Sequence, residues 1–148
     1  MIISKTPYRI SFFGGGSDFP EHFRQYGSSV LACAINKYCF LNVRRLPPFF
    51  EHKYRAVYSR IENISEIDEF QHPSVKAVLK YFDLPEGISV IHDGDIPARS
   101  GIGSSSAFTV GLLNSMFALT GRHASKRLLA ETAIHIEQEL IGETVGCQ

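Results

Sequence analysis

An α+β fold with a mostly antiparallel or mixed sheet is predicted from two features of the chain. Strand-like runs crowd the first part of the sequence. The second part reads strand, loop, helix, helix, and its two helical stretches have different apolar patterns.

In order, "MIISKTPYRISFFGGG" offers strand-like runs over residues 1–6 and 9–13, halted by Gly14, Gly15 and Gly16. Ser17 or Asp18 is placed to cap a short helix through Phe23 and Tyr26, with Pro20 in its first turn. "SSVLACAIN" and "YCFLNVRRL" read as two paired strands, and "YRAVYSRI" as another, with Ala56 and Tyr58 on one face and Val57 on the other. Residues 62–71 read as a polar connection. Val75, Val78, Leu79 and Phe82 then recur at helical spacing over residues 73–82, and "GISVIHDGD" is a well-bounded strand. Residues 104–120 are apolar almost all round, which predicts a helix buried on most faces. Ser125 caps a last helix whose stripe is Leu129, Ala133, Ile136 and Leu140.

The 148 residues allow one domain with a real core. Lysine plus arginine equals aspartate plus glutamate at 15 each, so the basic excess of a nucleic-acid or anionic-membrane protein is missing. Cys33, Cys39 and Cys147 lack metal spacing and are odd in number, which predicts a reducing, cytoplasmic setting and cysteines that mainly fill the core. No run resembles a signal peptide or a membrane span.

The stretch that asks for a function is "IPARSGIGSSSAFTVG". It places small residues at the start of a buried helix. It is not a Walker loop, because Gly103 is followed by Ser104 and no lysine is near; it is not the dinucleotide fingerprint, because Ser106 stands in the last glycine position. The physical requirement of both is still met. Helix N-termini carry free N–H groups and about half a positive charge, Gly101 and Gly103 let a ligand approach the backbone, and Ser104, Ser105 and Ser106 add hydroxyls. From these residues alone, a plain turn with an N-cap is an equal reading.

The same residues resemble the phosphate loop of the kinase superfamily named for galactokinase, homoserine kinase, mevalonate kinase and phosphomevalonate kinase (GHMP), whose usual form is P-x-x-x-G-L-G-S-S-A/S-A. Ile102 replaces the usual leucine, and Arg99 stands where a small residue is common. A second stretch, "TPYRISFFGGGSD", resembles the first motif of that superfamily, P-G-[RK]-x-x-x-x-G-E-H-x-D in its galactokinase form. Arg9 falls on the basic residue, Gly14 on the glycine and Asp18 on the sugar-binding aspartate, while Gly15 and Gly16 replace Glu-His and make galactose an unsuitable substrate. Both stretches are nearer to the bacterial D-glycero-D-manno-heptose 7-phosphate kinases, with fucokinases next. A third region, "HIEQELIGETVGCQ", matches the helix that carries the Mg²⁺-binding glutamate in the superfamily, and counting along the motif places it at Glu137, with Glu139 as the fallback. At about 100° per residue Glu137 lies some 40° from Ala133, bordering the buried stripe.

The resemblance implies a two-layer α+β domain like domain 2 of ribosomal protein S5, with the ferredoxin-like C-terminal domain and the catalytic aspartate beyond Gln148. Residues 1–148 are then expected to be an N-terminal ATP-binding domain with little kinase activity of its own. It also implies ATP and Mg²⁺ as cofactors. The nucleotide site is expected to comprise Pro97, Arg99, Ser100, Gly101, Ile102, Gly103, Ser104, Ser105 and Ser106. Ser105 and Glu137 would hold the metal, Arg9 would act in catalysis, and Gly15, Gly16 and Asp18 would meet the sugar. The implied reaction moves the γ-phosphate of ATP to a hydroxyl, in a heptose 7-phosphate the anomeric one. A non-catalytic sugar and ATP sensor and a fucokinase-like enzyme are the alternatives, and an RNA-binding domain on the same fold is opposed by the neutral charge.

Other residues signal less. The six histidines show no metal pair, Asp93 and Asp95 fit a strand-ending turn, and Arg44 and Arg45 fit a solvated strand end. Asn36 is either a polar strand end or a neighbour of the nucleotide.

Overall fold

A computed structural model describes residues 1–97 and 100–147. Its sheet has five strands, β1 (Ile2–Phe13), β2 (Leu31–Leu46), β3 (Tyr54–Val57), β4 (Ile61–Ile64) and β5 (Gly87–Gly94), in the order β1-β2-β5-β3-β4. All neighbours are antiparallel except β3 and β5, so the sheet is mixed. The helices are α1 (Pro20–Tyr26), α2 (Pro73–Phe82), α3 (Ser104–Leu119) and α4 (Lys126–His135), and α4 continues as a π turn over Ile136–Leu140.

The predicted helices 73–82 and 104–120 are found within one residue, because each carries its own apolar period or its own full burial. Ser125 caps α4 as expected, its hydroxyl accepting from the Leu128 amide at 3.1 Å. Four readings are corrected. Residues 1–6 and 9–13 form one strand. Residues 31–46 also form one strand, in which residues 35–37 make a bulge and not a hairpin turn, and its halves pair with the two halves of β1. The connection 62–71 contains most of β4 and a short 3₁₀ turn at Ile67–Glu69. Helix α1 is preceded by Phe19 with no side-chain cap, since the Asp18 carboxylate instead accepts from the Gly16 amide at 3.0 Å; Pro20 does sit in the first turn.

Leu41 and Val43 of β2, Ile88 and Val90 of β5, Val75 and Val78 of α2, and Leu112, Leu113 and Met116 of α3 are buried in one core. Each such side chain contributes roughly 1.5–3 kcal/mol. A lost N-cap costs about 1 kcal/mol. Helix α3 is therefore held by burial, and its uncapped N-terminus is a small expense. Of the cysteines, Cys39 fills the core and burial pushes its thiol up to about 11, but Cys33 is exposed on β2 and Cys147 is half-buried, so core filling holds for one of the three. Among the described residues no helix is long and apolar enough to cross a membrane.

Candidate functional site

The register of β1 against β2 slips between Pro7 and Arg9, where one residue of β1, Tyr8, stands opposite three of β2, Ile35, Asn36 and Lys37. The slip turns the Arg9 amide away from the ladder, and it donates to the Ile102 carbonyl at 3.1 Å. The strand-end motif and the glycine-serine loop are thereby stitched together. Gly103 has φ +72°, in the left-handed region, and a Cβ there would lie 3.2 Å from Cγ and Cζ of Arg9. The glycine is needed both for its backbone and for the space the arginine fills. No side chain caps α3, and its first α-type bond runs from the Ala107 amide to the Gly103 carbonyl, so the amides of Ser104, Ser105 and Ser106 lie ahead of the ladder.

Glu137 comes to the same place from α4. It is 5% exposed, which decides that it is no surface glutamate. Burial pushes its carboxyl above the usual range and the Glu143 charge adds to this, while the hydroxyls of Thr109, Ser106 and Ser105 favour the ionised form. Its Oε1 and the Thr109 Oγ1 nevertheless make no hydrogen bond among the described residues. The π turn explains the placement. The Ile141 amide donates to Ile136 at 2.9 Å, five residues back, which widens the turn and breaks the α period. Leu140, expected on the buried stripe, is 51% exposed as a result, while Ile136 and Glu137 both face inward. Glu139, the fallback, points outward and pairs with Arg24 at 4.0 Å.

Two cavities meet at the start of α3. One, of about 500 Å³, is lined by Ser104 and Ser105 together with Tyr58, His72, His92 and Phe108, and Pro97 and Tyr8 reach it too. The other, of about 330 Å³, is lined by Ser106 with Arg9, Gly15, Gly16, Asp18 and Thr144. Asp18 is buried. The predicted loop and the predicted sugar residues thus lie on either side of one helix terminus. Gly101 and Ser100 are exposed beside it, and Ile102 turns its side chain to the core. Arg99 lies outside the described residues. Asn36 is exposed and lines neither cavity. Asp93 accepts from the adjacent Gly94 amide at 2.8 Å, the local turn chemistry expected of it, whereas Asp95 accepts from the Tyr38 amide of β2 at 2.8 Å and so ties the turn to a distant strand.

The aromatic wall of the larger cavity went unread in the sequence. His72 stacks on Phe108 at 4.6 Å, Tyr58 stands edge-on to His72 at 4.9 Å, and His92 meets Phe108 at 5.3 Å. These residues come from four separate segments, so no spacing announces them. Thr109 was readable, since it follows Ser105 by one helical turn. Burial lowers both histidines below their ordinary value of 6.5, against smaller opposite effects of Glu62 on His72 and Asp93 on His92. Below that pH the unfolded chain binds protons that the folded one refuses, so stability falls as the pH drops below 6.5. Urea unfolding at pH 7.5 and 5.5 should show this loss, and His72→Gln should shrink it; an unchanged pH dependence in the variant would refute the assignment to His72.

Residues 71–148 match the family model described as GHMP kinases N terminal domain. The chain belongs to the GHMP kinase family. It is 27% identical to the D-glycero-alpha-D-manno-heptose 7-phosphate kinase of Campylobacter jejuni, over 99% of this chain and 46% of that protein. It is 28% identical to the mevalonate kinase of Archaeoglobus fulgidus, over 98% of this chain and 48% of that one. The chain spans about half the length of the curated relatives it matches. In fold it is similar to a crystal structure of a D-glycero-D-manno-heptose 1-phosphate kinase from Bacteriodes thetaiotaomicron, with TM-score 0.84 and 21% identity over 100% of this chain and 51% of that one. The two-layer α+β architecture expected from the resemblance is therefore the one this chain has.

Proposed function

We propose that this chain supplies the nucleotide site and the acceptor site of an ATP-dependent sugar kinase. The observation that carries this is the uncapped N-terminus of α3 standing between two cavities, with Ser104 and Ser105 facing one and Ser106 facing the other. Phosphoryl transfer needs a donor phosphate and an acceptor oxygen brought in line, and negative charge met by fixed donors. The larger cavity suits the nucleoside, its base against the aromatic wall and its phosphates against the amides of residues 101–106. The smaller suits a polyol, whose hydroxyls would bond to Asp18 and to the amides of Gly15 and Gly16. Arg9, held against Gly103 between the two, would stabilise charge on the transferring group and favour an ionised acceptor.

The residues also fit Mg²⁺. Among the described residues no cluster of three His, Cys, Asp or Glu exists. One buried carboxylate with an unsatisfied oxygen beside serine hydroxyls is the sparse oxygen set this ion takes when phosphates complete its shell. Ser105 and Glu137 would hold it, and when bound it would neutralise phosphate charge.

The Campylobacter relative makes D-glycero-D-manno-heptose 7-phosphate the first acceptor to try, with transfer to its anomeric hydroxyl. The primary test is calorimetric titration of the protein with ATP, with and without Mg²⁺. Wild type should bind more tightly with the metal, and Ser105→Ala should lose about tenfold of that affinity, the worth of a hydrogen bond to a charged group. A variant whose metal-dependent affinity equals wild type would remove Ser105 from the site, and a wild type that ignores ATP would end the kinase reading.

A further inference from the structure

Beyond the π turn, residues 142–147 run as an irregular strap with no regular secondary structure. Four hydrogen bonds to other described residues pin it, one of them from Gln138 Nε2 to the Cys147 sulfur at 3.7 Å. The Glu143 amide donates to the Glu137 carbonyl at 3.0 Å, Gln138 Nε2 donates to the Val145 carbonyl at 2.9 Å, and the Cys147 amide donates to the Asp18 carbonyl at 3.2 Å. The strap therefore runs from the buried Glu137 to the buried Asp18, and its residues Thr144, Val145 and Gly146 line the smaller cavity.

Gly146 is where it lies flush against Asp18. A Cβ at this position would fall 1.9 Å from Oδ2 and 2.4 Å from Cγ of that carboxylate. The backbone gives no reason for the glycine, because Gly146 is not among the residues with positive φ. Its φ is not one that L residues avoid; the three atoms nearest to such a Cβ all belong to the Asp18 carboxylate, which a side chain would strike first. On its other side that carboxylate accepts from the Gly16 amide at 3.0 Å through Oδ1, so it is clasped between two glycines. A methyl group at residue 146 has two ways out. It can push the strap off the cavity wall, or it can rotate the carboxylate off Gly16, and each alters what the cavity offers to an acceptor.

We propose that Gly146 is a positioning residue for the acceptor: lacking a side chain, it lets the strap close the smaller cavity and fixes the direction in which Asp18 meets a polyol hydroxyl. This rests on the reading of that cavity as the acceptor site. The test measures affinity for D-glycero-D-manno-heptose 7-phosphate and for the non-hydrolysable ATP analogue AMP-PNP in wild type and Gly146→Ala, together with melting temperatures. The variant should keep its AMP-PNP affinity within about twofold and lose at least about tenfold for the sugar phosphate, because the strap borders one cavity and not the other. Its melting temperature should drop, and the drop should vanish when the same change is made in Asp18→Gly, where there is no carboxylate to strike. A Gly146→Ala protein that binds the sugar phosphate as wild type does, or one destabilised equally in both backgrounds, overturns the proposal while leaving the kinase reading intact. A wild type that binds AMP-PNP but no sugar phosphate overturns the acceptor reading and this role with it, and the melting cycle then still reports on the contact itself.

Discussion

Gly103→Val should abolish nucleotide binding, with a loss of at least about a hundredfold, while the protein stays folded. A β-branched residue at φ +72° is a genuine outlier, costing about 1–3 kcal/mol in backbone strain alone. Its side chain would also start 3.2 Å from the Arg9 side chain, so the arginine must move as well. The loop can relieve both only by turning the amides of residues 104–106 away from the larger cavity. The core is spared, because Gly103 precedes α3 and the burial that holds the helix begins at Ala107. Calorimetry with ATP and Mg²⁺, beside circular dichroism, separates the outcomes. Full ATP affinity in a folded Gly103→Val protein would mean that the phosphates do not sit on this helix.

Glu137→Gln should make the protein more stable and less able to use Mg²⁺. The carboxylate is 5% exposed with one oxygen unpartnered, and no cation is placed against it by any described contact. A charge kept in such a place still costs several kcal/mol after the surroundings relax. An amide of the same shape avoids that cost, and the melting temperature should rise by about 2–4 °C for each kcal/mol relieved. The metal-dependent gain in ATP affinity should disappear, while the metal-free affinity is kept. Stability bought at the expense of a ligand is the mark of a functional group rather than a structural one. A Gln variant that melts lower and keeps its Mg²⁺ response would identify Glu137 as a structural residue.

Much of the fold was legible in local patterns. Helix α2 announces itself by Val75, Val78, Leu79 and Phe82, and α3 by an apolar surface that leaves no solvent face. The readings that failed were those in which a partner elsewhere in the chain decides. Residues 31–46 look like a hairpin when taken alone, and they form a single strand because β1 offers a long edge to both halves. Leu140 looks buried for as long as the helix is assumed to stay α-helical. Asp18 looks like a cap, until Gly16 and the strap at Gly146 take hold of it.

By itself the sequence determined that a buried helix would begin behind a loop with almost no side chains, and that Arg9 and Asp18 would stand at a motif's spacing. Such features depend on residue type and on near neighbours, and chain order preserves them. Tertiary structure alone decided sidedness: that Ser105 faces one cavity and Ser106 the other, that His72, His92 and Phe108 form one wall, and that Glu137 turns inward. Those outcomes depend on strand register, on a widened helical turn and on the packing of distant segments, whose energies are shared among many residues and written in no single stretch.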